Sequence, residues 1–161
     1  MKKILCVLLS VVMLISCFSF STFASDDIRV LINGRLVTLT TPAVLDGGDV
    51  FVSIEDVFKP LSFKMAYYPM LDMYTLTRNE KTMRLYADKN TAYVDGSANT
   101  LSAAPYINGS GIFMVPCDDI FKFFGEKANY DYFDKTYRIE SPYRERVAYQ
   151  STLATLYSDT H

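Results

Sequence analysis

Residues 42–77, PAVLDGGDVFVSIEDVFKPLSFKMAYYPMLDMYTLT, decide the fold, because they return as residues 105–140, PYINGSGIFMVPCDDIFKFFGEKANYDYFDKTYRIE. The two stretches align without a gap at a constant offset of 63 positions. Val52 lies over Val115, Asp56 over Asp119, Phe58-Lys59 over Phe121-Lys122, Tyr67 over Tyr130 and Tyr74 over Tyr137. Self-similarity at a fixed spacing constrains architecture more strongly than any local pattern. What is repeated is apolar pattern and turn chemistry, the content of a scaffold or binding module, with no obvious catalytic group.

Within each stretch the apolar period changes from two to 3.6 residues. Val50-Phe51-Val52 is a short strand, after which Ile54, Val57, Phe58 and Leu61 fall on one helical face. Ser53 is a natural N-cap with Asp56 three residues on, a capping-box pattern, and Pro60 limits the helix to about two turns. Residues 63–68 and 73–77 form a hairpin around a turn at 69–72. In the second stretch Cys117, Ile120, Phe121 and Phe124 repeat the helical face, and Gly125 suits the position after a helix C-terminus. Upstream of each stretch, Asn33-Gly34 and Asp95-Gly96 are strong two-residue hairpin turns. They separate strands 28–32 and 36–39 in the first case and follow strand 91–94 in the second. Residues 82–86 add a further strand. The expected fold is α+β: two tandem repeats, residues 28–86 and 91–140, of antiparallel β-hairpins packed on one short helix each.

The ends differ in kind. Lys2-Lys3, an apolar run over residues 4–15 and the small-x-small site Thr22-Phe23-Ala24 make residues 1–24 an export signal peptide. The apolar run is shorter than the ~20 residues that a spanning helix needs, so no membrane span is expected in the mature chain. A rival reading is a lipoprotein signal, Leu14-Ile15-Ser16-Cys17, with the chain anchored through Cys17. The Phe-rich residues after Cys17 favour cleavage after Ala24 and a secreted or surface-associated protein. Residues 25–141 are then the domain, and residues 142–161 a tail in which Ser141-Pro142 can start a helix with Tyr149, Leu153 and Leu156 as its apolar stripe.

Of 16 basic residues, Lys2 and Lys3 leave with the signal, so 14 face 18 acidic ones and the net charge is −4. No basic run or stripe is present, which argues against nucleic acid as a partner. Cys6 and Cys17 lie in the signal, so the mature chain holds one thiol, Cys117, and no internal disulfide.

The candidate chemistry is thin. Glu55-Asp56 and Asp118-Asp119 are repeated carboxylate pairs. Acids in a helix first turn offset the positive end of the helix dipole, and that position accounts for their spacing. Cys117 has acidic neighbours that disfavour a thiolate and aligns with core residue Ile54, so it reads as a small buried hydrophobe. His161, the only histidine, is the last residue, which leaves no rigid imidazole for a triad or a metal site. No cofactor is expected. The aromatic load is high, with 12 Tyr and 11 Phe. Tyr67, Tyr130 and Tyr132 lie near the hairpins after each helix and could stack on sugar faces, although hairpins also use aromatics for cross-strand packing. Asn108-Gly109-Ser110 reads as a turn.

The string formed by Ile32-Asn33-Gly34, Val94-Asp95-Gly96, Pro105-Tyr106-Ile107-Asn108-Gly109, Val115-Pro116, Gly125, Tyr130-Asp131 and Thr136-Tyr137-Arg138-Ile139 resembles the copper amine oxidase N-terminal-like domain. The resemblance covers residues 28–140. It implies antiparallel strands around a short helix in each repeat, and a non-catalytic domain with no oxidase activity. The chain departs from the family pattern where an Arg is expected after the short strand: Glu55 and Asp118 stand there. The family's Pro is Ser53 in the first stretch, and its Trp is Tyr67 or Tyr130. The functional expectation is a non-catalytic exported bacterial domain that binds or scaffolds at the cell envelope, with cell wall or surface proteins as partners. The alternative is a carbohydrate-binding module, for cell-wall glycan, that uses the hairpin tyrosines.

Overall fold

The computed structural model describes residues 27–142. The export signal (1–24) and the tail stripe of Tyr149, Leu153 and Leu156 lie outside the described residues. Among the described residues, thirteen short strands form three sheets, with two short helices between them. The described part is thus mostly β-sheet, within an α+β class.

Local sequence sets most of the elements. β1 (Arg29–Ile32) turns into β2 (Arg35–Leu36) through Asn33 and Gly34, whose φ angles of 48° and 75° are both left-handed. This is the requirement of the hairpin turn that matches strand twist. β3 (Val44–Asp46) and β4 (Asp49–Ser53) lead into α1 (Ile54–Phe58). A hairpin of β5 (Lys64–Tyr68) and β6 (Met73–Arg78) follows, joined by a 3₁₀ turn at Pro69–Leu71, and then β7 (Lys81–Tyr86). β8 (Thr91–Val94) and β9 (Ser97–Thr100) flank Asp95-Gly96. β10 (Tyr106–Ile107), β11 (Phe113–Pro116), α2 (Cys117–Phe124), β12 (Lys127–Asp131) and β13 (Thr136–Glu140) complete the order. Gly125, at φ 74°, ends α2, and the Glu126 N–H turns back to the Phe121 carbonyl at 2.9 Å.

The sheets run β12-β13-β1-β2, β10-β11-β4-β3 and β5-β6-β7-β8-β9. Each takes strands from both sides of residue 90, so residues 28–86 and 91–140 do not form separate sheets. One pairing also departs from the antiparallel expectation. β1 and β13 run parallel, Arg29 opposite Thr136 through Ile32 opposite Ile139. Strands that are adjacent in space but about a hundred residues apart leave no local signal of their pairing. In the middle sheet β4 meets β11 antiparallel with Val52 directly opposite Val115, the residues that the sequence alignment superposes.

The core lies between the helices and the sheets. Ile54, Val57, Phe58 and Leu61 are all buried, as are Cys117, Ile120 and Phe121, with Phe124 only partly buried against them, so the predicted helical faces point inward. Phe58 and Phe121 stack at 5.0 Å with 13° between planes. Phe63 sets its edge against Phe58 at 5.2 Å and against Phe124 at 4.7 Å. Each such ring contributes roughly 1.5–3 kcal/mol by burial alone.

Two local expectations are corrected. The strand expected over 36–39 is confined to Arg35–Leu36, with one more rung beyond it, the Val37 N–H donating to the Val30 carbonyl at 2.9 Å. The capping box is half made: the Asp56 N–H donates to Ser53 Oγ at 3.5 Å, but the Asp56 carboxylate turns to another partner.

Candidate functional site

The repeated acids sit in the first turns of α1 and α2, as the spacing predicts, but their partners come from elsewhere in the fold. The Tyr74 hydroxyl donates to Glu55 Oε1 at 2.8 Å, and the Tyr137 hydroxyl donates to Asp118 Oδ1 at 2.5 Å. The second acid of each pair holds the loop that precedes the strands leading into its own helix. Asp56 accepts from the Thr40 N–H at 2.7 Å and from the Thr40 hydroxyl, and Asp119 accepts from the Ser102 N–H. Each helix start is thereby tied to a strand on one side and a loop on the other. The sequence assigns these acids to helix capping and the helix dipole and does not show either tie, because the partners lie 16 to 19 positions away.

A cleft of about 250 Å³ opens beside α1, lined by Thr40, Ser53, Glu55, Asp56, Tyr74 and Phe113 among others. Two of its side-chain pairs are bonded across it, Thr40 to Asp56 and Tyr74 to Glu55, and Ser53 Oγ accepts from the Asp56 N–H. Burial, then the Glu55 carboxylate, pushes Tyr74 above the ordinary tyrosine range, and burial, then Cys117 and the Asp118 carboxylate, does the same for Tyr137, so the hydroxyls stay protonated. Asp118 is pushed up chiefly by burial. Its bond from Tyr137 opposes this, and nearby Asp49 and Asp119 add to it.

Cys117 is fully buried. Burial, then the charge of Asp118, raises its thiol well above the usual value, the reverse of what a nucleophile needs. It packs in the core at the position equivalent to Ile54. Among the described residues, no group of three His, Cys, Asp or Glu side chains is placed to hold a metal ion. His161 lies outside the described residues. Among the described residues, the donors present do not fit a copper centre.

The three candidate tyrosines are not brought to one site. Tyr67 is on β5 of the five-stranded sheet, stacked on Tyr74 at 4.8 Å, and its hydroxyl donates to Asp72 Oδ1 at 3.2 Å. Tyr130 is on β12 of another sheet and half-buried, with Tyr132 edge-on at 4.7 Å. Tyr132, 66% exposed, precedes Phe133, 99% exposed, at a hairpin tip. Asn108 fulfils its turn reading, since its Oδ1 accepts from the N–H groups of Ser110 and Ile112 at 2.9 and 3.0 Å.

A different aromatic cluster lies on the outer face of β7 and β8. Alternation buries Met83, Leu85 and Ala92 and turns Arg84, Tyr86, Thr91 and Tyr93 outward. Arg84 is the cross-strand partner of Tyr93. Tyr86 and Tyr93 meet edge to face at 6.0 Å and 77°, and Lys89 Nζ lies 5.0 Å from the Tyr86 ring centre. These residues with Thr91 line a cleft of about 340 Å³. Among the described residues, no carboxylate forms a salt bridge with Arg84 or Lys89. The sequence signal was present as period-two alternation over 82–86 and 91–94. Neither run says which of its faces meets solvent.

A three-sheet scaffold whose repeated acid pairs, buried thiol and buried tyrosines make internal contacts belongs to the class of β-rich α+β domains. The copper amine oxidase N-terminal domain matches residues 31–139, more than half of the chain, and the protein belongs to that family. The expected resemblance is thereby established, and the domain is a non-catalytic one. No curated protein gives a significant match to the chain.

Proposed function

We propose that the protein is a non-catalytic exported bacterial domain that binds or scaffolds at the cell envelope, built as two interleaved copies of one strand–helix–hairpin unit. The observation that carries the reading is the engagement of the chemistry. The acid pairs and Cys117 are bound up in internal contacts, while large apolar and aromatic side chains stand outward at Met70, Tyr132 and Phe133. Adjacent exposed pairs, Met70-Leu71 at one hairpin turn and Tyr132-Phe133 at another, offer apolar contact surface. Export rests on Lys2-Lys3, the apolar run and Thr22-Phe23-Ala24. The duplication is supported by the pairing of Val52 with Val115 and by the matched bonds Tyr74–Glu55 and Tyr137–Asp118. Among the described residues, no helix is long and apolar enough to cross a membrane.

The test is retention of residues 25–161 on purified cell wall and on immobilised surface proteins. Binding to either supports the reading, and absence from both overturns it. The mass of the mature N-terminus separates release from anchorage: a start at Ser25 marks secretion, and a diacylated Cys17 marks a lipoprotein. A second reading, glycan binding through the hairpin tyrosines, is favoured by the exposure of Tyr132 against Tyr130. Glycan binding that survives Tyr130→Ala and Tyr132→Ala would remove that assignment.

A further inference from the structure

We infer that the outer face of β7 and β8 is a binding site for an acidic carbohydrate, a sugar unit that carries a carboxylate. The inference deepens the envelope-binding reading and rests on it.

Three features converge on one strand pair. First, Tyr86 and Tyr93 present aromatic surface beside a cleft of about 340 Å³, enough for a sugar unit. Ring faces suit the apolar C–H faces of a sugar, and the phenol hydroxyls suit its rim. Second, Arg84 stands directly across from Tyr93. An exposed guanidinium next to an aromatic ring can take a carboxylate through two parallel hydrogen bonds while the ring holds the sugar. Third, Lys89 sets a second cation over Tyr86. Both cations lack an acidic partner among the described residues of a chain whose formal net charge is −2. A cationic, aromatic cleft on a weakly acidic protein selects for the ligand's charge.

The buried face of the same strands makes the site rigid. Met83, Leu85 and Ala92 are all packed in the core, so the backbone that carries Arg84, Tyr86 and Tyr93 cannot shift without breaking that packing. Thr75 on β6 and Ala98 on β9 extend the row that contains Arg84 and Tyr93, a flat course across four strands along which a polymer could lie. The candidate tyrosines from the sequence, split between two sheets, offer no such course.

The experiment is calorimetric titration of the purified full chain with three probes: a galacturonic acid trisaccharide, its neutral galactose counterpart and inorganic phosphate. The acidic sugar is expected to bind, the neutral sugar at least about tenfold more weakly for want of the charge-assisted pair, and phosphate more weakly than the acidic sugar for want of the ring contacts. Arg84→Ala and Tyr93→Ala should each weaken the acidic sugar about tenfold or more. Both side chains are exposed, so unchanged circular dichroism is expected and checks the fold. Equal affinity for both sugars, phosphate binding as tight as the uronate, affinity indifferent to both substitutions, or no binding at all would each overturn the site. Retention of Arg84→Ala on cell wall then separates the two readings. If the variant stays on the wall as the parent does, this site falls and the envelope role stands. If the parent itself fails on the wall and on surface proteins, the envelope role falls.

Discussion

The two helix starts perform the same tasks with different residues. At α1 a glutamate takes the tyrosine hydroxyl and an aspartate takes the loop. At α2 both acids are aspartates, and the shorter Asp118 is met by a fully buried Tyr137, whereas Tyr74 keeps slight exposure. Ile54 becomes Cys117 with the burial unchanged. The surroundings differ more. Asp49 stands near Asp118, and the aligned position beside Glu55 is the apolar Ile112. Phe63, packed between Phe58 and Phe124, aligns with Glu126, which pairs with Arg78 in a nearly solvent-free pocket. Hydrogen-bond roles and core volume are kept while residue identity changes, and the α2 side carries the greater electrostatic load.

That asymmetry can be broken most severely at the buried ion pair. Arg78, over the Phe63 ring at 4.0 Å, is the partner of a carboxylate whose side chain is 3% exposed. Arg78→Ala should cost about 3–5 kcal/mol, because it strands Glu126 as a buried charge. Urea unfolding would read this, and a loss below about 1 kcal/mol would show that Glu126 simply takes up a proton. The double variant Arg78→Met with Glu126→Leu should recover most of the loss.

The tyrosine–acid bonds allow the direct comparison. Tyr137→Phe should cost about 1–3 kcal/mol, and Tyr74→Phe about 0.5–1.5 kcal/mol, since Tyr137 is fully buried whereas Tyr74 keeps 8% exposure. Equal costs would mean that burial does not separate the two sites. A pH consequence follows from the same bonds. Both tyrosines have folded-state values raised above the ordinary 10.0, so their contribution is fully present below pH 10 and is lost as pH rises beyond it. Denaturant midpoints should fall on the alkaline side of pH 10, less steeply in Tyr137→Phe. A parallel fall in variant and parent would count against it.

The smallest expected effect separates the helix ends. Gly125 closes α2 at φ 74° with nothing near its missing Cβ, whereas α1 ends at Lys59 in the ordinary helical region. Gly125→Ala should cost about 1 kcal/mol, from backbone conformation alone. A thermal midpoint unchanged from the parent would show that the turn re-forms without strain.

Much of the local structure was legible. Ser53, Pro60 and Gly125 mark the helix ends, Asn33-Gly34 and Asp95-Gly96 mark hairpins, and the buried faces of both helices follow the 3.6-residue period. The partition into three sheets was not. Nothing in residues 29–32 names residues 136–139 as a partner, because pairing is settled by which apolar faces must be covered together. The site was harder still. Tyr67, Tyr130 and Tyr132 were singled out by proximity to hairpins along the chain, whereas Arg84 and Tyr93 become neighbours only through the β7–β8 register.

The parallel pairing of β1 with β13 has a mechanical consequence. The N-terminal end of β1 and the C-terminal end of β13 lie at opposite ends of a shared ladder, flanked by the bonds of Arg29 to Lys135 and of Asn33 to Ile139. Tension applied across those two ends loads the ladder in shear, so its bonds must yield together instead of one at a time. Asn33 adds a side-chain clip at the far end, with Nδ2 donating to the Ser141 carbonyl at 2.8 Å and Oδ1 accepting from its N–H at 2.9 Å. Pulled from residues 29 and 140, the domain should resist force better than when it is pulled across the β12–β13 hairpin, which peels.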